Sequence, residues 1–82
     1  MNQQCIFNQD FQIDETTESV KGSVLHQGLR RDVFIKKPTG WELSVWFQQV
    51  QEDSFFWEDE IEAAVNRGMF AHDGSIHLDG AA

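Results

Sequence analysis

The chain has little of what marks a secreted or membrane protein. Among its 82 residues it has one cysteine, Cys5, and one proline, and no long apolar run follows a basic N-terminal segment. A lone cysteine forms no internal disulfide, and without the apolar run nothing supports a secretion signal or a membrane span. We therefore expect a cytoplasmic protein that does not enter membranes.

Basic residues are also few. Six Lys and Arg stand against fourteen Asp and Glu, so the formal net charge is −8. Such a charge repels nucleic acid and anionic lipid at long range. Five of the bases lie between positions 21 and 37, and six acids lie between 52 and 62. We expect protein partners rather than direct binding of nucleic acid, with an acidic segment available to them.

The motifs of catalytic and metal sites are missing. The sequence has no glycine-rich phosphate loop, no nucleophile elbow, no HExxH motif and no pair of CxxC motifs. His72 and His77 are five residues apart and do not share a strand face, and Cys5 has no histidine beside it in an apolar segment. We predict no enzyme activity, no metal and no cofactor.

What the chain does have is apolar bulk, with seven Phe and three Trp. Residues 1–82 are predicted to form a single domain, since a chain of this length has no surface left for a second core. The clearest element is residues 53–68, which start with capping residues and end at Gly68. Its apolar positions have the i, i+4, i+7, i+8 spacing of one helical stripe: Trp57, Ile61, Ala64 and Val65.

A second amphipathic helix is predicted over residues 39–51. Its stripe follows i, i+3, i+4, i+7: Leu43, Trp46, Phe47 and Val50. One continuous helix over residues 41–67 fits the same pattern. We favour a break at residues 52–54, because an unbroken helix of that length would be about 40 Å long, out of scale with short strands.

Two alternating segments, residues 19–26 and 30–37, predict a β-hairpin around Gln27-Gly28. A two-residue turn pairs residue 26 with 29 and 20 with 35, which places valines and an isoleucine on one face. A three-residue loop would set Val24 opposite Asp32, so the first register is favoured. Residues 3–7 and the alternation of Ile76 and Leu78 predict short flanking strands, and residues 8–18 show no regular element.

The predicted fold class is therefore α+β. We expect a small antiparallel sheet, made of the N-terminal strand, the hairpin and the C-terminal strand, with two amphipathic helices packed on one face.

Several segments resemble those of small bacterial proteins grouped as domain of unknown function family 1488. They are IFNQDF, an acidic stretch and SVKGSVLHQG near the start, and EIEAAVNRG followed by DGSIHL near the end. The middle segment, KKPTGWELSVWF, departs from the family by being unusually aromatic. The resemblance spans most of the chain and implies an α+β fold and a bacterial origin, with no established activity. A gene of a phage or mobile element fits the same features.

Aromatic side chains border the acidic helix. If Trp57 faces the core, Phe55 shares its helix side with acidic residues, Phe56 lies at the boundary, and Trp41 lies off the first helix's stripe. Aromatic residues next to charge are typical of contact surfaces. The alternative is that a frayed first turn folds Phe55 back onto the sheet.

The leading hypothesis is a non-enzymatic interaction or regulatory protein whose partner is another protein or a second copy of the chain, as a homodimer. Its predicted partner-binding residues are Trp41, Phe55, Phe56, Glu58, Asp59 and Glu62. The alternative is an anionic mimic from a phage or mobile element, whose acids imitate a row of phosphates and occupy the groove of a DNA- or RNA-binding protein.

Overall fold

A computed structural model describes residues 5–80, which form one sheet and two helices. In chain order the elements are β1 (Cys5–Phe7), β2 (Gln12–Asp14), β3 (Ser19–His26), β4 (Leu29–Lys36), α1 (Leu43–Glu52), α2 (Ser54–Asn66) and β5 (Ile76–Asp79). Buried side chains of both helices pack against one face of the sheet. The α+β class is confirmed. The parts of the predictions that fall on residues 1–4, 81 and 82 lie outside the described residues.

The hairpin has the predicted register. His26 pairs with Leu29 and Val20 with Ile35 along β3 and β4. Gln27 and Gly28 both have positive φ, 54° and 79°. Two successive left-handed residues are the signature of a type I′ turn, whose twist matches that of the strands it joins.

The turn supports a test of the backbone at Gly28. A side chain there would meet no atom within 4 Å, so only the left-handed φ resists substitution. We expect Gly28→Val to lower the free energy of unfolding by about 1–3 kcal/mol, because a β-branched residue is strained at positive φ. Gln27→Asn is the matched control and should be neutral or stabilising, since Asn suits this position. Urea denaturation of both variants is the measurement, and equal tolerance of Val and Asn would contradict the turn assignment.

The last strand corrects one part of the predicted sheet. β5 pairs with β4 in parallel, with Val33 opposite Ile76 and Ile35 opposite Leu78, so the sheet is mixed rather than wholly antiparallel. The physical reason is the connection. Both helices lie between β4 and β5, and such a long crossover carries the chain back to the end of the sheet where β4 begins.

A short strand also forms where none was predicted. β2 pairs with residues 19–21 of β3 and continues the edge that β1 begins against residues 24–26.

The residues between β1 and β2 bulge, and Asp10 holds the bulge by accepting hydrogen bonds from the amide and hydroxyl of Ser23. Partial desolvation works to raise the pKa of Asp10, but these hydrogen bonds outweigh it and the pKa lies below its usual value. The Phe11 ring occupies the space left open by Gly22.

The helical segment is broken at Asp53, as predicted, where φ is −103° and ψ is 32°. The Asp53 side chain caps no amide and instead accepts a hydrogen bond from Gln49 Nε2 at 2.8 Å.

All four stripe residues of α2 are buried, together with Trp46 and Val50 of α1. α2 ends at Asn66, and a Schellman motif with Gly68 (φ 68°) in its left-handed position follows, in which the Gly68 amide donates to the Val65 carbonyl and the Met69 amide to the Ala64 carbonyl.

Candidate functional site

The aromatic residues predicted to form a contact surface lie in solvent. Phe55 is 83% exposed, Phe56 55% and Trp41 41%. The alternative, in which Phe55 folds back onto the sheet, is therefore not what the structure shows. The reason is the helical phase of α2, because the stripe from Trp57 to Val65 takes up the whole face turned toward the sheet.

The predicted residues do not form one continuous site. Phe56 shares a line along α2 with Glu60, four residues later, and with Asp53, three residues earlier, whereas Phe55 shares a line with Glu58. These two lines run along opposite sides of the buried stripe. Each one borders a separate groove.

The first groove, called here the tryptophan groove, has a volume of about 370 Å³. It is lined by four aromatic residues, Trp41, Trp46, Phe56 and Trp57, and by three acidic residues, Asp53, Glu60 and Asp79. Trp46 lies at the centre of the aromatic set. Its ring centroid is 5.4 Å from that of Trp41 and 5.8 Å from that of Trp57, with interplanar angles of 84° and 82°. Phe56 meets Trp57 in the same edge-to-face manner at 5.0 Å.

Trp46 is held in place from the sheet. Its Nε1–H donates a hydrogen bond to the Ile35 carbonyl at 3.2 Å, in the interior. Gly80 packs so closely that a side chain there would overlap both the Trp46 ring and the Lys36 carbonyl, which accepts a hydrogen bond from the Gly80 amide. The groove therefore depends on the end of β5 as well as on the helices.

Sequence reasoning placed Trp46 and Trp57 in the core and did not connect them with a surface groove. They are 4% and 7% exposed, so they are core residues that also contribute to a groove wall. The positions of Asp53 and Glu60, three before and four after Phe56, would have been a usable signal for the groove's acidic rim. No comparable signal marks Gly80, because its role depends on the parallel pairing of β5.

The second groove is smaller, about 230 Å³, and lies on the other side of α2. Phe55 and Glu58 line it together with Phe11 from the bulge before β2. Among the predicted site residues, Asp59 is exposed and Glu62 is half-buried, and neither lines the two grooves.

Glu62 contributes to the electrostatic environment of the one cysteine, Cys5. Cys5 is fully buried in β1, and burial, followed by the negative charge of Glu62, raises the pKa of its thiol. The thiolate is the reactive form of cysteine, and a raised pKa keeps the thiol protonated at neutral pH. Cys5 therefore behaves as a small apolar core residue.

The segment from Asp73 to His77 is held by local hydrogen bonds and by ring stacking. Asp73 accepts hydrogen bonds from the amide and hydroxyl of Ser75, and the Ser75 hydroxyl lies 2.8 Å from His77 Nε2. The His77 ring stacks on Phe34 with centroids 4.9 Å apart. Within residues 5–80, no three His, Cys, Asp or Glu side chains come together as metal ligands.

His26 is the last residue of β3, next to the hairpin turn. It is half-buried, and its ring stacks on Phe70 at 5.8 Å between centroids.

The acids of α2 lie apart from several of the bases. In the described part of the chain, ion pairs join Arg30 to Asp32 and Lys37 to Glu18, and neither pair involves α2. The strand register places Lys21, Arg30 and Lys36 on the sheet face opposite the one that carries Val20 and Ile35, whereas Arg31, paired with Val24, lies on the same face as those two. These three strand bases and the acids of α2 are thus on different sides of the sheet. Neither described helix has the length and apolarity to cross a membrane.

Comparison with known proteins bears on the fold. No family model matches the chain, and no curated protein matches it. A crystal structure at 1.60 Å resolution of a protein of unknown function from the DUF1488 family of Shewanella loihica PV-4 has a TM-score of 0.81 with this chain. The two are 19% identical, and the match covers 95% of this chain and 94% of that one. The resemblance noted in the sequence is supported, and the two proteins share a fold.

Proposed function

We propose that this chain is a non-enzymatic bacterial interaction protein of the cytoplasm that binds a protein partner through α2 and Trp41. The observation that carries the proposal is the 83% exposure of Phe55 on a helix whose neighbouring residues are acidic. Single exposed apolar residues are ordinary, but here three large aromatic side chains flank one helix.

The chemistry of this surface suits recognition of a basic protein. Phe55, Phe56 and Trp41 offer a large contact area at little cost in side-chain entropy. On α2, Glu58 lies beside Phe55 and Glu60 beside Phe56, and neither carboxylate takes part in the ion pairs Arg30–Asp32 and Lys37–Glu18. Rim charges of this kind speed encounter with an oppositely charged partner and favour correct orientation.

The test separates aromatic contact from charge. The protein that co-purifies with the native chain is first identified, and its affinity and association rate are measured by surface plasmon resonance. We expect the Phe55→Ser/Phe56→Ser double variant to weaken binding by about thirtyfold or more, because central aromatic contacts contribute roughly 2 kcal/mol or more. Neutralising Glu58, Asp59 and Glu62 to Gln should mainly slow association, with a smaller change in affinity.

Leu29→Ser is the matched control, because Leu29 is 59% exposed and lies at the hairpin, away from α2. It should leave binding unchanged. Circular dichroism checks that every variant is folded, and an unfolded double variant would mean that these Phe residues support the core. If the partner is a second copy of the chain, the same variants are compared by sedimentation equilibrium.

A second candidate function is nucleic-acid mimicry by a phage or mobile-element inhibitor. It is favoured by the carboxylates of α2, because the ion pairs Arg30–Asp32 and Lys37–Glu18 do not involve them. For a mimic the charges supply the binding energy, so the ranking of the variants reverses. The Gln variant would lose binding, the Ser variant would keep it, and affinity for the target would fall steeply with salt.

A further inference from the structure

The walls of the tryptophan groove are suited to a positively charged group. Aromatic rings carry negative potential on their faces, and Trp attracts cations most strongly. Three of the four rings belong to Trp, and each ring stands nearly perpendicular to its neighbour. At centroid distances of 5.0–5.8 Å the neighbouring rings touch each other, so a cation does not fit between them and would rest against the ring surface that lines the groove.

The rim of the groove carries the complementary charge. Asp53 and Glu60 are exposed acids on the line of Phe56, and none of the described residues that line the groove is Lys, Arg or His. A carboxylate or phosphate would meet repulsion there. A neutral apolar ligand would desolvate carboxylates and offer them nothing in return.

The size and openness of the groove indicate that the cation belongs to another protein and is not a free metabolite. A volume of about 370 Å³ is near the lower end for ligand pockets and is enough for one long side chain. Trp41 and Phe56 are 41% and 55% exposed, so the groove is open along its length and does not enclose a free metabolite. A side chain presented by another protein can enter it from solvent.

From these features we propose that the tryptophan groove binds a basic side chain, lysine or arginine, of a protein partner. The inference rests on the proposed function and makes it more specific. In this proposal the side of α2 that carries Phe56 binds the cationic side chain, and Phe55, in the second groove, makes an apolar contact with the partner.

The inference is tested without knowledge of the partner. The protein is titrated with Nα-acetyl-lysine methylamide, its arginine analogue and the norleucine analogue, which has the lysine chain without its ammonium group. Binding is followed by NMR shifts of the indole N–H signals at constant ionic strength. We expect millimolar affinity for at least one cationic analogue, and binding of norleucine that is weaker by about threefold or more. Equal binding of norleucine, or no shift with either cation, would overturn the inference.

Matched acid variants locate the contribution of charge. Glu60→Gln should weaken binding of the cationic analogue by about threefold, whereas Glu15→Gln, an exposed acid at the turn after β2, should change it by less than about twofold. The two substitutions alter net charge equally. An equal effect of both would show a long-range field rather than a site and would contradict the proposal. Trp41→Leu keeps an apolar side chain but removes the indole face, and it should weaken binding of the cationic analogue more than binding of norleucine.

The outcomes separate this inference from the proposed function. If the cationic analogues fail to bind while Phe55→Ser alone still weakens the partner complex, the cation site is wrong and the interaction surface stands. If the analogues bind as expected while Phe55→Ser has no effect on the partner, the groove stands and the wider surface does not.

Discussion

Ile61→Ala is expected to lower the free energy of unfolding by about 2–5 kcal/mol, because removing a buried branched side chain loses its transfer energy and leaves a cavity. Ile61 has no exposed surface and lies in the middle of the buried stripe of α2. For a domain of this size the loss is a large part of the total stability. It corresponds to a fall in Tm of roughly 8–40 °C.

Val45→Ala is the matched control for that result. Val45 is also an aliphatic residue on a helix, but it is 49% exposed on α1. Its replacement should change the free energy of unfolding by less than about 0.5 kcal/mol, because the higher helix propensity of alanine offsets part of the lost side-chain contact. Both variants are measured by urea denaturation and by thermal unfolding, each followed by circular dichroism. A Tm for Ile61→Ala within a degree or two of the parent would contradict the packing of α2.

The parts of the fold that the sequence predicts well are those set by local periodicity. The stripe of α2 and its stop at Gly68 depend on residues within a few turns of each other, and the structure places them as predicted. The register of β3 and β4 also follows locally, because a shift by one residue would turn Val20 and Ile35 away from the core.

The elements that were missed or corrected depend on contacts distant in sequence. β2 has only three residues, two of them polar, and its pairing relies on a bulge that Asp10 fixes through Ser23. The direction of β5 is not encoded in its alternation, which reads the same in a parallel or an antiparallel pair. It is decided by where the crossover through α1 and α2 delivers the chain.

The candidate site shows the same division. Helical phase alone separates Phe55 and Phe56 onto two sides of α2, and the sequence already contained that information. The tryptophan groove needed the fold, because β5 closes it and because Trp46 and Trp57 serve the core and the groove together. A residue with both roles looks like an ordinary core residue in a sequence pattern.

That double role leads to an expected loss of about 3–5 kcal/mol of stability in Trp46→Ala. Trp46 is 4% exposed, so its removal opens a large cavity beneath the groove. The substitution also removes the indole N–H that donates to the Ile35 carbonyl in the interior. Guanidinium denaturation followed by far-ultraviolet circular dichroism measures the loss, since a change of Trp content disturbs fluorescence.

Trp41→Ala is the matched control, with the same residue type deleted from the same groove. Trp41 is 41% exposed, so less transfer energy is lost than at Trp46 and no closed cavity forms. We expect it to cost about 1–2 kcal/mol. Trp46→Phe keeps most of the apolar bulk but not the N–H donor, and it should fall between the two at roughly 2–3 kcal/mol. Equal losses in Trp41→Ala and Trp46→Ala would contradict the anchoring of the groove through Trp46, whereas the expected order means that the groove's rim can be altered without unfolding the sheet beneath it.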